Sequence, residues 1–489
     1  QWLGQHISAG SIHDSAERSF SGPPARCMPG TRKSTLDVIH RWLDDLSAPS
    51  KILWLSGAAG AGKSAVAQTI CEGLKQDNRF VEVDFFFSRT STGRNNAAFL
   101  FITLCYQLAI AIPLLRQCIE VILKDNPTLV TKTSDIQLQK LIIEPLLSIA
   151  IEARPRNCVI IIDGLDECEN EATQRRLIQE FISAYQNIDF PIRLIITSRP
   201  DPWIRENFKK GGPLIYAITL EHTDEANDDI RAYFLNGFEE IRQRTPSTHG
   251  QDTGWPSKNQ INLLVYRASG QFIYAATVLK FCGDPDFSPP EQLRLILSTP
   301  QHASSPRNPL AELDALYLQI MASVPDKQRT LDVLGALIAV LNVTSGKSGG
   351  VSLLAKLPAS SFNGGELLDI VEDLLPIAPG ASYIALRRLH ALVRVPEYAE
   401  TSRNAPSDPS VTANPDLGRL IKFHHQTFPE FLVDPKRSEG YWISLRVAHE
   451  SMGISAMNLL SDCALEMTGL ENISRGISIS GSKLFYCIY

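Results

Sequence analysis

Several features that mark specialised proteins are scarce or missing in this sequence. It has no basic excess, because 47 lysines and arginines face 53 acidic residues and give a net charge of −6. A surface built mainly for nucleic acid is usually basic, so we expect no nucleic-acid partner. The first thirty residues lack the basic, apolar and small-residue segments of a secretory signal peptide. Glycine and proline, at 30 each in 489 residues, are too few for a collagen-like or low-complexity chain.

The nine cysteines are scattered along the chain. They form no C-x-x-C pair and no cysteine–histidine cluster at zinc spacing. An odd number of cysteines without such spacing favours reduced thiols, and therefore a cytosolic protein.

One uncharged stretch, residues 97–115, approaches the length of a membrane span. It contains Thr103, Gln107 and Pro113, and it lies between two halves of a predicted nucleotide site. A buried helix is therefore the favoured interpretation, and we expect no membrane segment.

Hydrophobic patterning divides the chain into two parts. Short apolar runs alternate with helical stretches between residues 51 and 220, which indicates a parallel sheet with crossover helices. The predicted strands are Lys51–Ser56, Val81–Phe87, Cys158–Asp163, Arg193–Thr197 and Leu214–Leu220. From residue 224 onward the pattern is almost wholly helical, with predicted helices at Asp224–Gln243, Asn259–Arg267, Phe272–Phe281, Leu313–Val324 and Thr330–Leu341. We predict an α/β fold with about three domains.

The strongest motif is G-x-x-x-x-G-K-S at residues 57–64, between a predicted strand and a predicted helix, Ala65–Lys75. Such a loop turns its backbone N–H groups inward around a phosphate, which a Cβ would obstruct. Lys63 is expected to reach the β- and γ-phosphates, and Ser64 to offer its hydroxyl to Mg²⁺. We assign nucleotide binding to Gly57, Gly60, Gly62, Lys63, Ser64 and Ala65.

A second motif, C-V-I-I-I-D-G-L-D-E at residues 158–167, matches a Walker B strand. Asp163 is expected to hold Mg²⁺ at the carboxyl end of the strand neighbouring the P-loop strand. Glu167 is the first candidate for the base that activates water, and Asp166 is expected to support the magnesium shell. The alternative is that these acids cap the following helix.

A third strand ends in T-S-R-P at residues 197–200. Ligands of open α/β sheets bind at the carboxyl ends of the strands, so Arg199 is placed to detect a γ-phosphate. A surface arginine that merely begins a loop is the alternative.

Taken in order, these motifs resemble the NACHT domain of the STAND signalling NTPases, which include NOD-like receptors and many fungal proteins. The lead-in C-M-P-G-T-R at residues 27–32 and I-L-W-L at 52–55 are similar to the fungal branch. G-Q-F-I-Y-A-A at 270–276 and L-D-A-L-Y at 313–317 are further matches. The resemblance adds Thr31 and Arg32 to the expected nucleotide-binding residues.

The same resemblance implies a domain order. We expect a lead-in segment (1–50), a P-loop NTPase domain (51–222), an all-helical domain (223–305), a winged-helix domain (306–445) and the start of a C-terminal helical region (446–489). The winged helix of the family supplies a histidine that contacts the ADP phosphate, which implies His425 in H-Q-T-F-P-E-F-L. The adjacent His424 leaves that assignment ambiguous by one position.

The resemblance implies a purine-nucleotide switch that is closed with ADP and self-associates with ATP. ATP is the expected nucleotide, with GTP as the alternative, together with Mg²⁺ and slow hydrolysis as the reset. A metabolic P-loop kinase and an inactive nucleotide-binding scaffold are the rival interpretations. The start at Gln1 and the stop at Tyr489 are expected to mark the central switch of a longer receptor or a truncated relative. Its protein signalling partners are not encoded in any motif.

Overall fold

The computed structural model describes residues 2–19, 24–77, 79–89, 91, 93–149, 157–187, 192–244, 254–298, 310–344, 364–395 and 421–469. The chain divides into two compact units. The first unit comprises Gln1–Tyr233 and Ser269–Ile273, and the second comprises Phe234–Ala268 and Tyr274–Tyr489. Each unit is described by itself.

The first unit contains the five-stranded parallel sheet that the sequence predicts, and the predicted α/β P-loop fold is confirmed. The strands are β1 (Ile52–Gly57), β2 (Val81–Phe86), β3 (Cys158–Asp163), β4 (Ile192–Ser198) and β5 (Ile215–Leu220). Their order in the sheet is β2-β3-β4-β1-β5, and every neighbouring pair is parallel. Each predicted strand lies within two residues of its observed bounds.

One detail of the predicted topology is wrong. The Walker B strand β3 does not neighbour the P-loop strand β1, because β4 pairs with both and lies between them. The carboxyl ends of parallel strands share one edge of the sheet, so Asp163 still reaches the edge where the P-loop begins. β4 thus lies between the strand that precedes the P-loop and the strand that ends in Asp163.

The strands are apolar on both faces because helices cover the sheet on both sides. One buried cluster contains Leu53, Leu55, Val159, Ile161 and Ile195, together with apolar residues of the helices Lys33–Asp44 and Lys63–Gln76. Their strand neighbours Ile52, Trp54, Ile160, Ile162 and Ile196 belong to the cluster on the opposite face. The period-two alternation of each strand thus produces two cores.

Twenty α-helices accompany the strands in the described residues. They are α1 (Ala16–Ser19), α2 (Lys33–Asp44), α3 (Lys63–Gln76), α4 (Leu100–Ala111), α5 (Pro113–Asp125), α6 (Ser134–Gln137), α7 (Glu144–Ser148), α8 (Glu171–Asn187), α9 (Pro202–Lys209), α10 (Asp224–Arg244), α11 (Lys258–Ala268), α12 (Phe272–Cys282), α13 (Pro289–Ser298), α14 (Ala311–Ala322), α15 (Lys327–Thr344), α16 (Gly364–Leu374), α17 (Ala381–Arg387), α18 (Thr427–Leu432), α19 (Pro435–Ser438) and α20 (Leu445–Gly469). A π-helical turn, Leu138–Ile143, joins α6 to α7.

The uncharged run at residues 97–115 is a buried helix followed by the start of another. α4 occupies most of it, and Pro113 begins α5 because proline is tolerated in a first helical turn. The side-chain amide of Gln107 in α4 donates from Nε2 to the carbonyl of Asp84 at 2.7 Å. Its Oε1 accepts the backbone N–H of Asp84 at 3.1 Å. The amide side chain thereby pairs with the edge strand β2. Within the described ranges, every helix is too short or too polar to cross a membrane.

The second unit is mainly helical and holds a two-stranded antiparallel sheet, β6 (Val393–Arg394) with β7 (Lys422–Phe423). Tyr317 of α14 is buried against Phe428 and Phe431 of α18, and its hydroxyl lies 2.8 Å from that of Thr427. The carboxylate of Glu372 accepts the backbone N–H groups of Gly380 and Ser382 at 2.9 Å each. The winged-helix assignment and the domain boundaries stay predictions.

Candidate functional site

The P-loop connects strand β1 to helix α3. Gly60 and Gly62 have positive φ angles of 75° and 94°, a backbone region that glycine enters without a Cβ penalty. α3 begins at Lys63, so the N-terminal N–H groups of the helix face the loop. The Lys63 ammonium donates to the carbonyls of Gly57 and Ala58, at 2.9 Å each. Burial lowers the pKa of Lys63, while the nearby Asp166 opposes this effect.

Residues 269–273 of the first unit contact the P-loop, which motif reading did not foresee. The backbone N–H of Ile273 donates to the carbonyl of Gly60 at 3.3 Å. A Cβ on Gly60 would lie 2.1 Å from Cγ2 of Ile273. The G-Q-F-I segment at residues 270–273 is thus a structural partner of the P-loop.

Asp163 ends strand β3 and is buried beside the P-loop helix. The Thr197 hydroxyl at the end of β4 donates to it at 2.6 Å, and accepts the backbone N–H of Gly164 at 3.0 Å. Ser64 also forms a side-chain hydrogen bond with Asp163. Burial raises the pKa of Asp163 despite these two hydroxyl donors. The structure therefore brings both predicted magnesium ligands together, and Thr197 orients one of them.

Asp166 and Arg199 lie on adjacent strand ends and form an ion pair. Nε of Arg199 is 3.1 Å from Oδ2 of Asp166, and its backbone N–H donates to Oδ1 at 2.9 Å. The side chain of Asp166 is only 3% exposed. Asp166 therefore binds the arginine that the sequence assigned to phosphate detection, whereas its predicted role was support of the magnesium shell.

Glu167 lies in a short 3₁₀ turn, Leu165–Glu167, that follows the left-handed Gly164. Burial, followed by the negative charge of Asp166, raises the pKa of Glu167 to about 7. The backbone N–H of Arg89 donates to its Oε2 at 3.1 Å, and the Arg89 guanidinium donates to the carbonyl of Asp166 at 2.6 Å. A carboxyl group with a pKa near neutrality suits a general base. No sequence motif indicated Arg89.

The predicted lead-in residues support the P-loop from the outside. The Arg32 guanidinium donates to the carbonyl of Ala61 at 2.9 Å and lies 5.1 Å from the Phe272 ring centre. Its backbone is left-handed, with φ at 56°, and its N–H donates to Asp229 at 2.9 Å. Thr31 is buried, and its hydroxyl donates to the carbonyl of Met28 at 2.8 Å. Arg32 and Thr31 therefore both bind backbone carbonyl groups, Arg32 in the P-loop and Thr31 in the lead-in segment.

His425 lies in the second unit, immediately before α18. Its Nδ1 accepts the backbone N–H of Thr427 at 3.1 Å, which assigns the ring proton to Nε2. Nδ1 also lies 2.8 Å from the Thr427 hydroxyl. His424 differs, because burial and the neighbouring Lys280 lower its pKa to about 3. His424 is thus held neutral, and the role of His425 towards nucleotide stays a prediction.

The donor set at the sheet edge fits Mg²⁺. The Ser64 hydroxyl and the Asp163 carboxylate are oxygen donors, which this ion prefers, and their hydrogen bond places them side by side. Ser64 lies in the first turn of α3, where a phosphate would supply further oxygens.

Comparisons with known proteins identify similar sequences. Residues 30–199 match the family model described as nephrocystin 3, N-terminal, a NACHT-like region. The matched residues include the P-loop, Asp163 and Arg199. HET-E-1, a vegetative incompatibility protein of Podospora anserina and a fungal NACHT protein, is 24% identical over 275 residues. This match covers 56% of the chain but only 19% of HET-E-1, so the chain spans about a fifth of that relative. The resemblance predicted from the motifs is confirmed.

Two solved structures are also similar. The Aeropyrum pernix ORC1 protein in complex with DNA is 12% identical, with a TM-score of 0.36 over 77% of this chain and 88% of that chain. Cdc6p from Pyrobaculum aerophilum is 15% identical, with a TM-score of 0.31 over 80% of this chain and 93% of that chain.

Proposed function

We propose that the chain is a nucleotide-dependent signalling switch of the STAND class, the core of a NOD-like receptor. The observation that carries this proposal is the meeting of the P-loop, Asp163, Glu167 and the Asp166–Arg199 pair at one edge of the sheet. The NACHT-like region at residues 30–199 supports the signalling class.

Nucleotide binding rests on the P-loop. Lys63 and the N-terminal N–H groups of α3 bind phosphates, which replace the carbonyls of Gly57 and Ala58 as partners of the ammonium group. Arg32, Phe272 and Ile273 hold the loop in its curled form. ATP and ADP are the proposed ligands, with GTP as the alternative. Mg²⁺, when bound by Ser64 and Asp163, neutralises phosphate charge.

The switch rests on Arg199. With ADP, the guanidinium stays paired with Asp166. A γ-phosphate offers a competing anion for charge-assisted hydrogen bonds, so ATP favours a different arrangement of Arg199. Such a ligand shifts the population of states only through its different affinity for each state. The ATP state is proposed to self-associate, and slow hydrolysis through Glu167 restores the ADP state.

The second unit completes the proposal. His425 is proposed to contact nucleotide from a winged-helix domain at residues 306–445, after a helical domain at 223–305. The description of HET-E-1 as a vegetative incompatibility protein supports a role in immunity or programmed cell death. A cytosolic location agrees with the cysteines found as free thiols among the described residues.

A comparison of nucleotide binding by the wild-type protein and by the Lys63→Ala variant tests the proposal. Wild-type protein and this variant are titrated with labelled ATP, ADP and GTP in the presence of Mg²⁺. Loss of charge-assisted bonds worth about 1.5–3 kcal/mol should weaken binding at least about tenfold. Lys209→Ala is the matched control, because it removes an exposed lysine of the same unit far from the loop in sequence.

Three outcomes separate the rival functions. Nucleotide binding that is lost in Lys63→Ala, with slow basal turnover, supports the switch. Turnover that rises far above the basal rate on addition of a small-molecule phosphate acceptor would instead identify a kinase. Wild-type protein that binds none of the three nucleotides, or binds them as Lys63→Ala does, would overturn the proposal in favour of a scaffold.

A further inference from the structure

Four metal-ligating side chains from three separate parts of the chain meet inside the first unit. They are His13, Cys71 of α3, and Glu82 and Asp84 of β2, and their ligand atoms lie within 4.8 Å of one another. His13 is 4% exposed, and Cys71 and Asp84 are fully buried. The Glu82 side chain is only 6% exposed. This cluster is separate from the nucleotide-binding residues described above.

The fold explains why these four residues meet. Glu82 and Asp84 are two positions apart on β2, so their side chains lie on the same face of the strand. Helix α3 covers that face and brings Cys71 to it. The N-terminal arm, residues 2–19, places His13 over the pair: its backbone N–H donates to Asp84 at 2.7 Å and its carbonyl accepts from Gln68 at 3.3 Å.

The cluster places two buried carboxyl groups beside one imidazole. Nδ1 of His13 lies 2.5 Å from Oδ2 of Asp84 and 3.8 Å from Oε2 of Glu82, so one imidazole serves two carboxylates. Among the described residues, Oε1 of Glu82 has no hydrogen-bond partner although it is buried. An unsatisfied buried carboxylate oxygen is costly. Oε1 of Glu82 is therefore a buried acceptor that a cation or a hydrogen-bond donor would stabilise.

We propose that His13, Cys71, Glu82 and Asp84 bind one Zn²⁺ ion. Imidazole, thiolate and carboxylate are the ligands of zinc sites in proteins, whereas Mg²⁺ and Ca²⁺ prefer oxygen alone. A divalent cation offsets the two carboxylates and gives Oε1 of Glu82 a partner. Four protein ligands make a closed site, which is typical of structural zinc.

The geometry requires only small movements. Tetrahedral zinc with bonds of about 2.0–2.3 Å places its ligand atoms about 3.3–3.8 Å apart. The four atoms are already within 4.8 Å of one another, and His13 and Asp84 have to separate by about 1 Å. Asp84 can keep the His13 backbone N–H on Oδ1 while Oδ2 turns to the ion.

Zinc at this position would fasten the N-terminal arm to the sheet. The same arm carries Arg18, which lies 3.7 Å from the Phe86 ring centre and donates to Gln68 at 2.8 Å. An arm released from the cluster would therefore uncover the end of β2. The proposal is independent of nucleotide binding.

Metal titration of the full chain tests this site. Protein stripped with a chelator is titrated with Zn²⁺ against a chromophoric competitor, and bound zinc is counted by mass spectrometry. We expect one zinc per chain, and binding at least about 100-fold weaker in Cys71→Ser, since even outer-shell changes cost 10–100-fold. Cys105→Ser is the matched control, because it removes another fully buried thiol outside the cluster.

Two further measurements keep the result independent of folding defects. Co²⁺ bound to wild-type protein should show a thiolate-to-cobalt charge-transfer band, which Cys71→Ser should lose and Cys105→Ser should keep. The near-isosteric Glu82→Gln should also weaken zinc binding while its circular dichroism spectrum stays that of wild type. Added zinc should raise the unfolding temperature of wild type but not of Glu82→Gln.

Three results would overturn the proposal. The first is wild-type protein that binds no stoichiometric zinc. The second is zinc binding that Cys71→Ser retains in full or Cys105→Ser loses. The third is a Glu82→Gln variant with a higher unfolding temperature than wild type, together with a wild-type unfolding temperature that zinc does not change. The four groups would then form a buried network that shares protons, without a metal ion.

Discussion

Arg199 and Asp166 are joined twice at the carboxyl edge of the sheet. The guanidinium Nε lies 3.1 Å from Oδ2, and the backbone N–H of Arg199 donates to Oδ1 at 2.9 Å. The second bond fixes the start of the loop after β4, whereas the first restrains a side chain that a phosphate can attract. One carboxylate thus both positions the arginine and competes with the nucleotide for it.

Removal of that competition should change the preference between nucleotides. Asp166→Asn keeps an acceptor for the Arg199 backbone but loses the charge, so we expect the ratio of ATP to ADP affinity to rise roughly tenfold. Arg199→Gln should bring the ratio close to one. Calorimetry with a non-hydrolysable ATP analogue and with ADP measures both ratios. Arg205→Gln, on the exposed face of α9, is the control. An unchanged ratio in both site variants would exclude Arg199 as the γ-phosphate contact.

Turnover should depend on Glu167. Glu167→Gln keeps the size of the side chain but cannot accept a proton, so we expect ATP hydrolysis to fall by about 10²–10⁴. Nucleotide affinity should stay within about twofold, because the P-loop is untouched. Glu169→Gln alters an exposed acid two residues away and should hydrolyse ATP at the wild-type rate. Single-turnover assays of released phosphate distinguish the two variants, and equal rates would exclude Glu167 as the base.

The raised pKa of Glu167 predicts a dependence of stability on pH. Its folded-state pKa is about 7 against an ordinary 4.5, so the folded protein keeps a proton that the unfolded chain releases. The free energy of unfolding should therefore fall as pH rises from 4.5 to 7 and level off above that range. Glu167→Gln lacks this ionisation and should be more stable than wild type at pH 8, by about 1–3 kcal/mol.

Denaturant unfolding at several pH values measures this difference. It should shrink towards zero as the pH approaches 4.5. Glu169→Gln provides the comparison, since a difference that it shares with Glu167→Gln would have another origin.

The sequence predicted the sheet well because each strand is short, apolar and followed by a recognisable motif. Val159–Ile162 could only be a strand covered on both faces, and G-x-x-x-x-G-K-S has a known backbone shape. The order of the strands was harder. Which strand lies beside β1 depends on the crossover connections, so the position of β4 between β1 and β3 was missed.

Contacts between distant residues were also beyond sequence reasoning. The contact between Ile273 and Gly60 and the contact between Arg89 and Glu167 correspond to no sequence pattern, because tertiary packing brings these residues together. The same holds for His13, Cys71, Glu82 and Asp84, which have no zinc spacing in the sequence but meet in the fold. The position of Thr197 at the site could have been predicted from the sequence, since the T-S-R motif already placed it at a strand end.

The contact between Gly60 and Ile273 gives a prediction about stability. In Gly60→Ala, the new Cβ would lie 2.1 Å from Cγ2 of Ile273, on a backbone with φ at 75°. A left-handed residue with a Cβ costs about 1–2 kcal/mol, and overpacking adds about 1–3 kcal/mol. We therefore expect Gly60→Ala to lower the free energy of unfolding by about 2–5 kcal/mol, measured by denaturant titration.

A second glycine serves as its matched control. Gly73 lies inside α3 with no heavy atom within 4 Å of an added Cβ, among the residues described. Gly73→Ala should raise the free energy of unfolding by about 0.5–1 kcal/mol, because alanine favours a helix interior over glycine. The double variant Gly60→Ala/Ile273→Ala separates the two costs of Gly60→Ala. Relief of the clash should lessen the effect of the Gly60 change, while the backbone cost persists. If Gly60→Ala were as harmless as Gly73→Ala, residues 269–273 could not be the support of the P-loop that their contacts indicate.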